Sequence, residues 1–189
     1  QTGYDWAAIR AAWDAEWSQK SGAEFYLQKP PADIFRIPMM CGVFEDLKWV
    51  GTVKNPYCYV ESLFKKYKNL GVANPHQELA KLCAHAVLVL QTQLENKQYL
   101  GSNGYIITME EFMADKEAHC AAIEQFCGVK IDLSKQLWVK GHASTKYVDR
   151  SEQHLGMLIQ AIPDIIQKMN VYFAPHEALL NAWGYQLRS

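Results

Sequence analysis

The sequence predicts an α/β fold, a parallel sheet with helices on both faces, and three observations predict it. Two apolar runs, Leu47 to Val53 and Tyr105 to Met109, have the length and branched content of buried strands. Stretches with helical spacing alternate with such runs along the whole chain, the pattern of βα units rather than of an all-helical bundle or a sandwich. The 189 residues are 49% hydrophobic, enough for one core, so 1–189 is read as a single domain.

The elements follow in order. Asp5 to Gln19 places Trp6, Ile9, Trp13 and Trp17 on one helical face, an aromatic packing surface. Gly22 follows as its cap. Glu24 to Gln28 is a short strand candidate ending at Lys29-Pro30-Pro31. Asp33 to Phe44 reads as a helix that Pro38 kinks or shortens, with Arg36 in a surface salt bridge or, as a secondary candidate, an anion contact. After the 47–53 strand, Lys54-Asn55-Pro56 is a turn, and Pro56 opens a helix carrying Val60, Leu63, Phe64 and Tyr67. A loop, Asn69 to Pro75, leads into a long helix from about Gln77 to Asn96. Its apolar stripe is Leu79, Leu82, Cys83, Ala86, Val87, Leu90 and Leu94, with His85 as a packed or edge residue. The strand 105–109 precedes Glu110 and Glu111, and Glu111 suits a helix start by its charge. Gln136 to Val139 is a last short strand, and Ser151 to Met169 and Pro175 to Trp183 are helical.

Composition excludes several classes. A formal net charge of −1 argues against a broad nucleic-acid surface but not against one small anion pocket. Five cysteines without CxxC spacing suggest neither a zinc site nor a disulfide framework, and a reducing, cytoplasmic compartment is expected. No metal cluster, internal repeat or run apolar enough to span a membrane is legible.

The chemistry concentrates at Leu47 to Lys66. A strand, a tight turn and a helix N-terminus make a general anion-holding geometry, because free N–H groups and the helix dipole meet the incoming charge. Lys54 adds a cation and Ser62 a hydroxyl.

Lys54-Asn55-Pro56 followed by Ser62 resembles the 3′-phosphate motif of sulfotransferases that use 3′-phosphoadenosine 5′-phosphosulfate (PAPS). There a strand ends in Arg-Asn-Pro or Arg-Asp-Pro, with a serine eight residues after the arginine. Lysine in place of arginine keeps the charge but loses the bidentate fork. Lys29 before Pro30-Pro31 is similar to the Lys-x-Pro strand end of tyrosylprotein and bacterial sulfotransferases. The resemblance gives it the catalytic role of stabilising charge on the leaving 5′-phosphate oxygen. Tyr105 to Glu111 resembles the family's apolar strand ending in Tyr-Glu-Asp-Leu, with Met109 replacing the tyrosine. Asp115 and Phe126-Cys127-Gly128 are similar to an aspartate before a helix ending in Phe-x-Gly. Lys140, Gly141, Ser144 and Lys146 look like the basic loop that folds over the 3′-phosphate, and His142 within it is a candidate proton carrier. Gly184-Tyr185 resembles a common terminal-helix ending. Lys20-Ser21-Gly22-Ala23 is not the phosphosulfate loop, since it follows a helix.

The resemblance implies a three-layer, P-loop-like fold from about Phe25 to Tyr185. It implies transfer of a sulfuryl group from PAPS to the hydroxyl or amine of a small-molecule, carbohydrate or peptide acceptor, without a metal. The family's first strand and phosphosulfate loop are not found in these 189 residues, and they are expected in a segment preceding them or lost. Two alternatives stay open. One is a non-catalytic nucleotide-binding or interaction module on the same fold. The other is a P-loop kinase-like phosphotransferase, which requires a Gly-x-x-x-x-Gly-Lys-Ser/Thr loop that the chain does not show.

Overall fold

A computed structural model of the chain describes residues 5–21, 27, 29–69, 75–131, 137–139, 142–144 and 149–189. Its centre is a parallel strand pair, β1 (Trp49–Val53) beside β2 (Gly104–Thr108), in register from Trp49↔Gly104 to Val53↔Thr108. Between them in sequence lie α3 (Pro56–Asn69) and α4 (Pro75–Leu100). α1 (Trp6–Ser21) precedes a 3-10 turn at Pro31–Phe35 and α2 (Ile37–Cys41). After β2 come α5 (Met109–Ala114), α6 (Lys116–Cys127), the strands β3 (Leu137–Val139) and β4 (His142–Ser144), then α7 (Ser151–Ala161), α8 (Ile165–Phe173) and α9 (Glu177–Ala182).

Side chains alternate across the strands, and each face meets a helix. Gly51, Val53, Ile106 and Thr108 are buried on one face, where Gln93 of α4 lies against Gly51. On the other face the Tyr105 hydroxyl lies 2.7 Å from His119 Nδ1, and its ring is 6.0 Å from Phe126, both on α6. The core continues through α3, α4, α7 and α8, where Tyr57 meets Phe173 edge-on with centroids 5.0 Å apart. α1 docks through Arg10, which donates to Val43 O at 2.9 Å, and through Trp13, 5.3 Å from Phe44.

The α/β character is therefore present, but the sheet differs from the one expected. Among the described residues the parallel sheet has two strands. Residues 136–139 were expected to extend it, yet β3 pairs antiparallel with β4 as a separate hairpin. The expected strand 24–28 lies outside the described residues except for Leu27. The cap residue Gly22 also lies outside them.

Three helix boundaries move for identifiable reasons. The 33–44 helix is two short pieces broken at Arg36 (φ −122°, ψ 1°), and Pro38 sits in the first turn of the second piece, where it starts a helix rather than kinking one. Arg36 pairs with the buried carboxylate of Asp33 at 3.3 Å. The stretch 151–169 is two helices, because Pro163 forces the preceding Ile162 into an extended conformation (φ −139°, ψ 86°). α4 runs on to Leu100 instead of ending near Asn96. Buried Gln93 and Asn96 stand on its core face and interrupt the apolar pattern.

Gly51 is fixed by close packing. A Cβ there would lie 2.8 Å from Trp49 Nε1 and 3.0 Å from Gln93 Nε2. We expect Gly51→Ala to cost about 1–3 kcal/mol, the usual penalty for overpacking. It should appear as a lower urea midpoint with unchanged slope. A wild-type midpoint would show that the indole and amide reseat freely.

Candidate functional site

The turn from β1 into α3 is built as the sequence predicts, and its hydrogen bonds show what each residue does. Asn55 caps α3: its side-chain oxygen accepts the Tyr57 N–H at 3.0 Å, and its carbonyl accepts the Tyr59 N–H at 2.8 Å. Its own N–H is donated to Glu110 Oε1 at 3.0 Å. Two donors of the turn are thus already engaged. A bound anion would rely on Lys54 and the helix dipole more than on these amides.

Lys54 stands on the wall of a cavity of about 190 Å³, with Thr52, Pro56, Tyr59, Val89 and Leu90 among its other walls. Pockets that hold whole drug-sized ligands span roughly 300–1,000 Å³. This one admits a single group, such as one phosphate or one ring. Asn55, Tyr59 and Ser62 recur at helical spacing, which puts them on one stripe of the helix surface. Ser62 is exposed and not on the cavity wall, and its hydroxyl donates to Tyr59 O at 2.8 Å. His85 sits beside this stripe, its ring 5.9 Å from Tyr59, exposed at the edge of α4.

Lys54 is not electrically isolated. Partial burial alone would raise the Asp149 pKa. Bonds from the Ser151 hydroxyl and N–H, with the charges of Lys54 and His154, outweigh it and hold the carboxyl below its usual range. Beneath the first turn of α3, burial and a bond to Glu152 push the Cys58 thiol up to about 12, so it stays protonated and unreactive. Glu152 also receives both arms of Arg188, at 2.9 and 2.5 Å, and this bond holds its carboxyl low.

The other predicted residues are dispersed or fall elsewhere. Lys29 is exposed, two residues before the 3-10 turn, and is not on the wall of the Lys54 cavity. His142 and Ser144 are strand residues of β4, where His142 pairs with Val139. Lys140, Gly141 and Lys146 lie outside the described residues. Glu111 does what its position predicts. It completes a capping box with Thr108, with bonds of 2.8 Å from Thr108 N and 3.0 Å from Glu111 N to Thr108 Oγ1. Asp115 caps α6 through the Ala118 N–H at 3.0 Å, and Gly128 closes that helix with φ 76°.

Sequence reasoning missed Glu110, Tyr185, Asp149, Glu152 and Arg188. The Tyr185 hydroxyl donates to Glu110 Oε2 at 2.7 Å, so one carboxylate joins the turn before α3 to the C-terminal segment. Gly184, with φ 76°, ends α9 and delivers that tyrosine. The Gly-Tyr ending was visible in the sequence as a helix stop, but its partner lies 75 residues away. Comparisons with known protein families, characterised proteins and solved structures find no match.

Two predictions follow from this network's charges. Burial, then the bond to Glu110, raise the Tyr185 pKa above its ordinary 10.0. Its contribution to stability is full below pH 10 and declines as the pH rises above it. Tyr185→Phe should cost about 1.5–3 kcal/mol at neutral pH, the worth of a bond to a charged group, and should flatten the alkaline limb of a stability–pH curve. An unchanged alkaline limb would deny the buried bond. In acid the signs reverse. Glu111, Asp149 and Glu152 have lowered values, so stability is full above their ordinary 4.5, 3.8 and 4.5 and falls as the pH drops below them. Because the Glu152 side chain is 64% exposed, solvent screens its pair with Arg188. Glu152→Gln should therefore remove less than about 1 kcal/mol at pH 7 and nothing at acid pH, read from urea melts.

Proposed function

We propose that this chain is a sulfotransferase-like domain that holds the 3′-phosphate of PAPS at the junction of β1 and α3. The supporting observation is the placement of Lys54: a cation on the wall of a small, mostly apolar cavity, at the end of a parallel strand and one residue before a capped helix N-terminus. Low polarity around that cation strengthens its attraction for a phosphate, and the helix dipole adds to it. The cavity is too small for a nucleotide, so the phosphate enters it and the adenosine lies outside.

In this reading Lys54 supplies the charge, Asn55 holds the turn in shape, and Ser62 offers a hydroxyl from the same stripe of α3. Ser62 must leave its bond to Tyr59 O to do so, which makes it the weaker contributor. Lys29 carries charge at the leaving oxygen. The resemblance assigns further 3′-phosphate contacts to Lys140, Gly141, Ser144 and Lys146, and the acceptor's proton to His142. When bound, PAPS supplies the sulfuryl group: the acceptor oxygen or nitrogen bonds to sulfur and loses its proton, and 3′-phosphoadenosine 5′-phosphate leaves with the electrons of the broken S–O bond.

Isothermal titration with 3′-phosphoadenosine 5′-phosphate against AMP tests this. A charge-assisted phosphate contact is worth about 1.5–3 kcal/mol, so the 3′-phosphate should improve affinity about tenfold or more. Lys54→Ala should abolish that preference, and Ser62→Ala should reduce it only a few-fold. Equal affinity for the two nucleotides would sink the reading. A 3′-phosphate preference without sulfuryl transfer would leave a nucleotide-binding module.

A further inference from the structure

A second and larger concavity lies on the C-terminal half of α4. It has a volume of about 630 Å³, within the range of sites that hold small ligands, and opens between the C-terminal half of α4 and the segment 31–41. Phe35 and Tyr99 line it, 41% and 58% exposed, so two rings stand open beside Ile34 and Pro38 and a set of polar groups. Thr92, Asn96 and Gln98 supply a hydroxyl and two amides, and Glu95 is the charged residue on the wall. The walls are held in place: Asn96 is buried and donates its amide to Ile34 O at 2.8 Å, which pins the 3-10 turn to α4. Gln91 Nε2 donates to Glu95 Oε1 at 2.8 Å and orients that carboxylate.

We propose that this groove binds a neutral carbohydrate and that, in sulfuryl transfer, the carbohydrate is the acceptor. The chemistry of the wall selects the class. A sugar ring presents an apolar C–H face, which suits an open aromatic ring, and a rim of hydroxyls. Hydroxyl, amide and carboxylate groups around the rings match that rim as donors and acceptors. Among the described residues the wall carries a carboxylate and no cation. Lys97, on the same helix, sits instead over the Trp183 ring at 5.4 Å. A uronate or an already sulfated chain would meet like charge, so the groove favours an uncharged glycan.

Position selects the role. Val89 lines the Lys54 cavity and Thr92 lines the groove, three residues apart on α4, a rise of about 4.5 Å. The segment forming the opposite wall begins two residues after Lys29. A ligand in the groove therefore lies along the helix that also walls the proposed phosphate cavity. The acceptor role rests on the sulfotransferase reading, whereas sugar binding does not.

The test is saturation-transfer NMR of the full chain with a panel of neutral oligosaccharides, their uronate and sulfated counterparts, and a tyrosine-containing peptide. Neutral glycans should bind, anionic ones at least about tenfold more weakly. Tyr99→Ala and Phe35→Ala should each abolish the signal, and Tyr99→Ala, at the more exposed ring, should do so with little change in melting temperature. Glu95→Gln should narrow the gap between neutral and anionic glycans. Absence of binding by every neutral glycan, binding that survives both ring truncations, or preference for the peptide would overturn the site. Titration with 3′-phosphoadenosine 5′-phosphate separates the two ideas. Sugar binding without nucleotide binding overturns the acceptor role and keeps the site, whereas nucleotide binding without sugar binding overturns both the site and the acceptor role and keeps the nucleotide reading.

Discussion

The carboxylate of Glu110 ties together the three parts of the chain that define the turn before α3. One oxygen accepts the N–H of Asn55 and the other accepts the hydroxyl of Tyr185. Glu110 itself belongs to the first turn of α5, directly after β2. A single side chain thus registers the end of β1 against the end of β2 and locks the C-terminal segment over both. Truncating it would leave two partly buried donors unpaired, at about 1–3 kcal/mol each. The shape of the β1–α3 turn therefore depends on this carboxylate as much as on the turn's own residues.

The C-terminal segment is held at more than one point. Asn170 of α8 donates to Arg188 O at 2.7 Å and accepts the Tyr57 hydroxyl, which in turn accepts the Arg188 N–H at 3.2 Å. The Arg188 guanidinium lies 5.6 Å from the Tyr57 ring centroid while it grips Glu152. Tyr57 and Cys58, in the first turn of α3, are fully buried beneath this strap. A helix start that would otherwise fray is clamped by residues more than 100 positions away.

What the sequence made legible and what it hid divide along range of contact. β1, the Pro56 helix start and the helix-start charge of Glu111 are each written within a few residues, and local rules read them. The Thr108 half of the capping box is equally local but went unread, and Gly128 entered only through the resemblance to a helix ending in Phe-x-Gly. The antiparallel pairing of β3 was hidden because three residues of apolar character do not say which partner they take. The last turns of α4 were hidden by Gln93 and Asn96, which are buried for contacts with Asn96's own turn and with Ile34. At the candidate site, Lys54 and Asn55 were legible as turn residues. Glu110 and Arg188 were not, because their partners stand 55 and 36 residues away.

The choice of lysine at position 54 can be weighed against its surroundings. A lysine offers a compact, strongly hydrated charge and no planar fork, so it grips phosphate through proximity rather than geometry. Its cavity compensates in part, since the apolar walls from Val53, Pro56 and Leu90 lengthen the reach of the charge. Asp149 works in the opposite direction: its ionised carboxylate feels the Lys54 charge and competes with an incoming anion for it. The dipole of α3, a 14-residue helix with its start capped and buried, acts in the phosphate's favour and cannot be neutralised by a side-chain movement. Charge at this turn is therefore poised rather than saturated. Under the proposed sulfotransferase reading, a doubly charged phosphate would compete with Asp149 for Lys54 better than a singly charged anion of similar size.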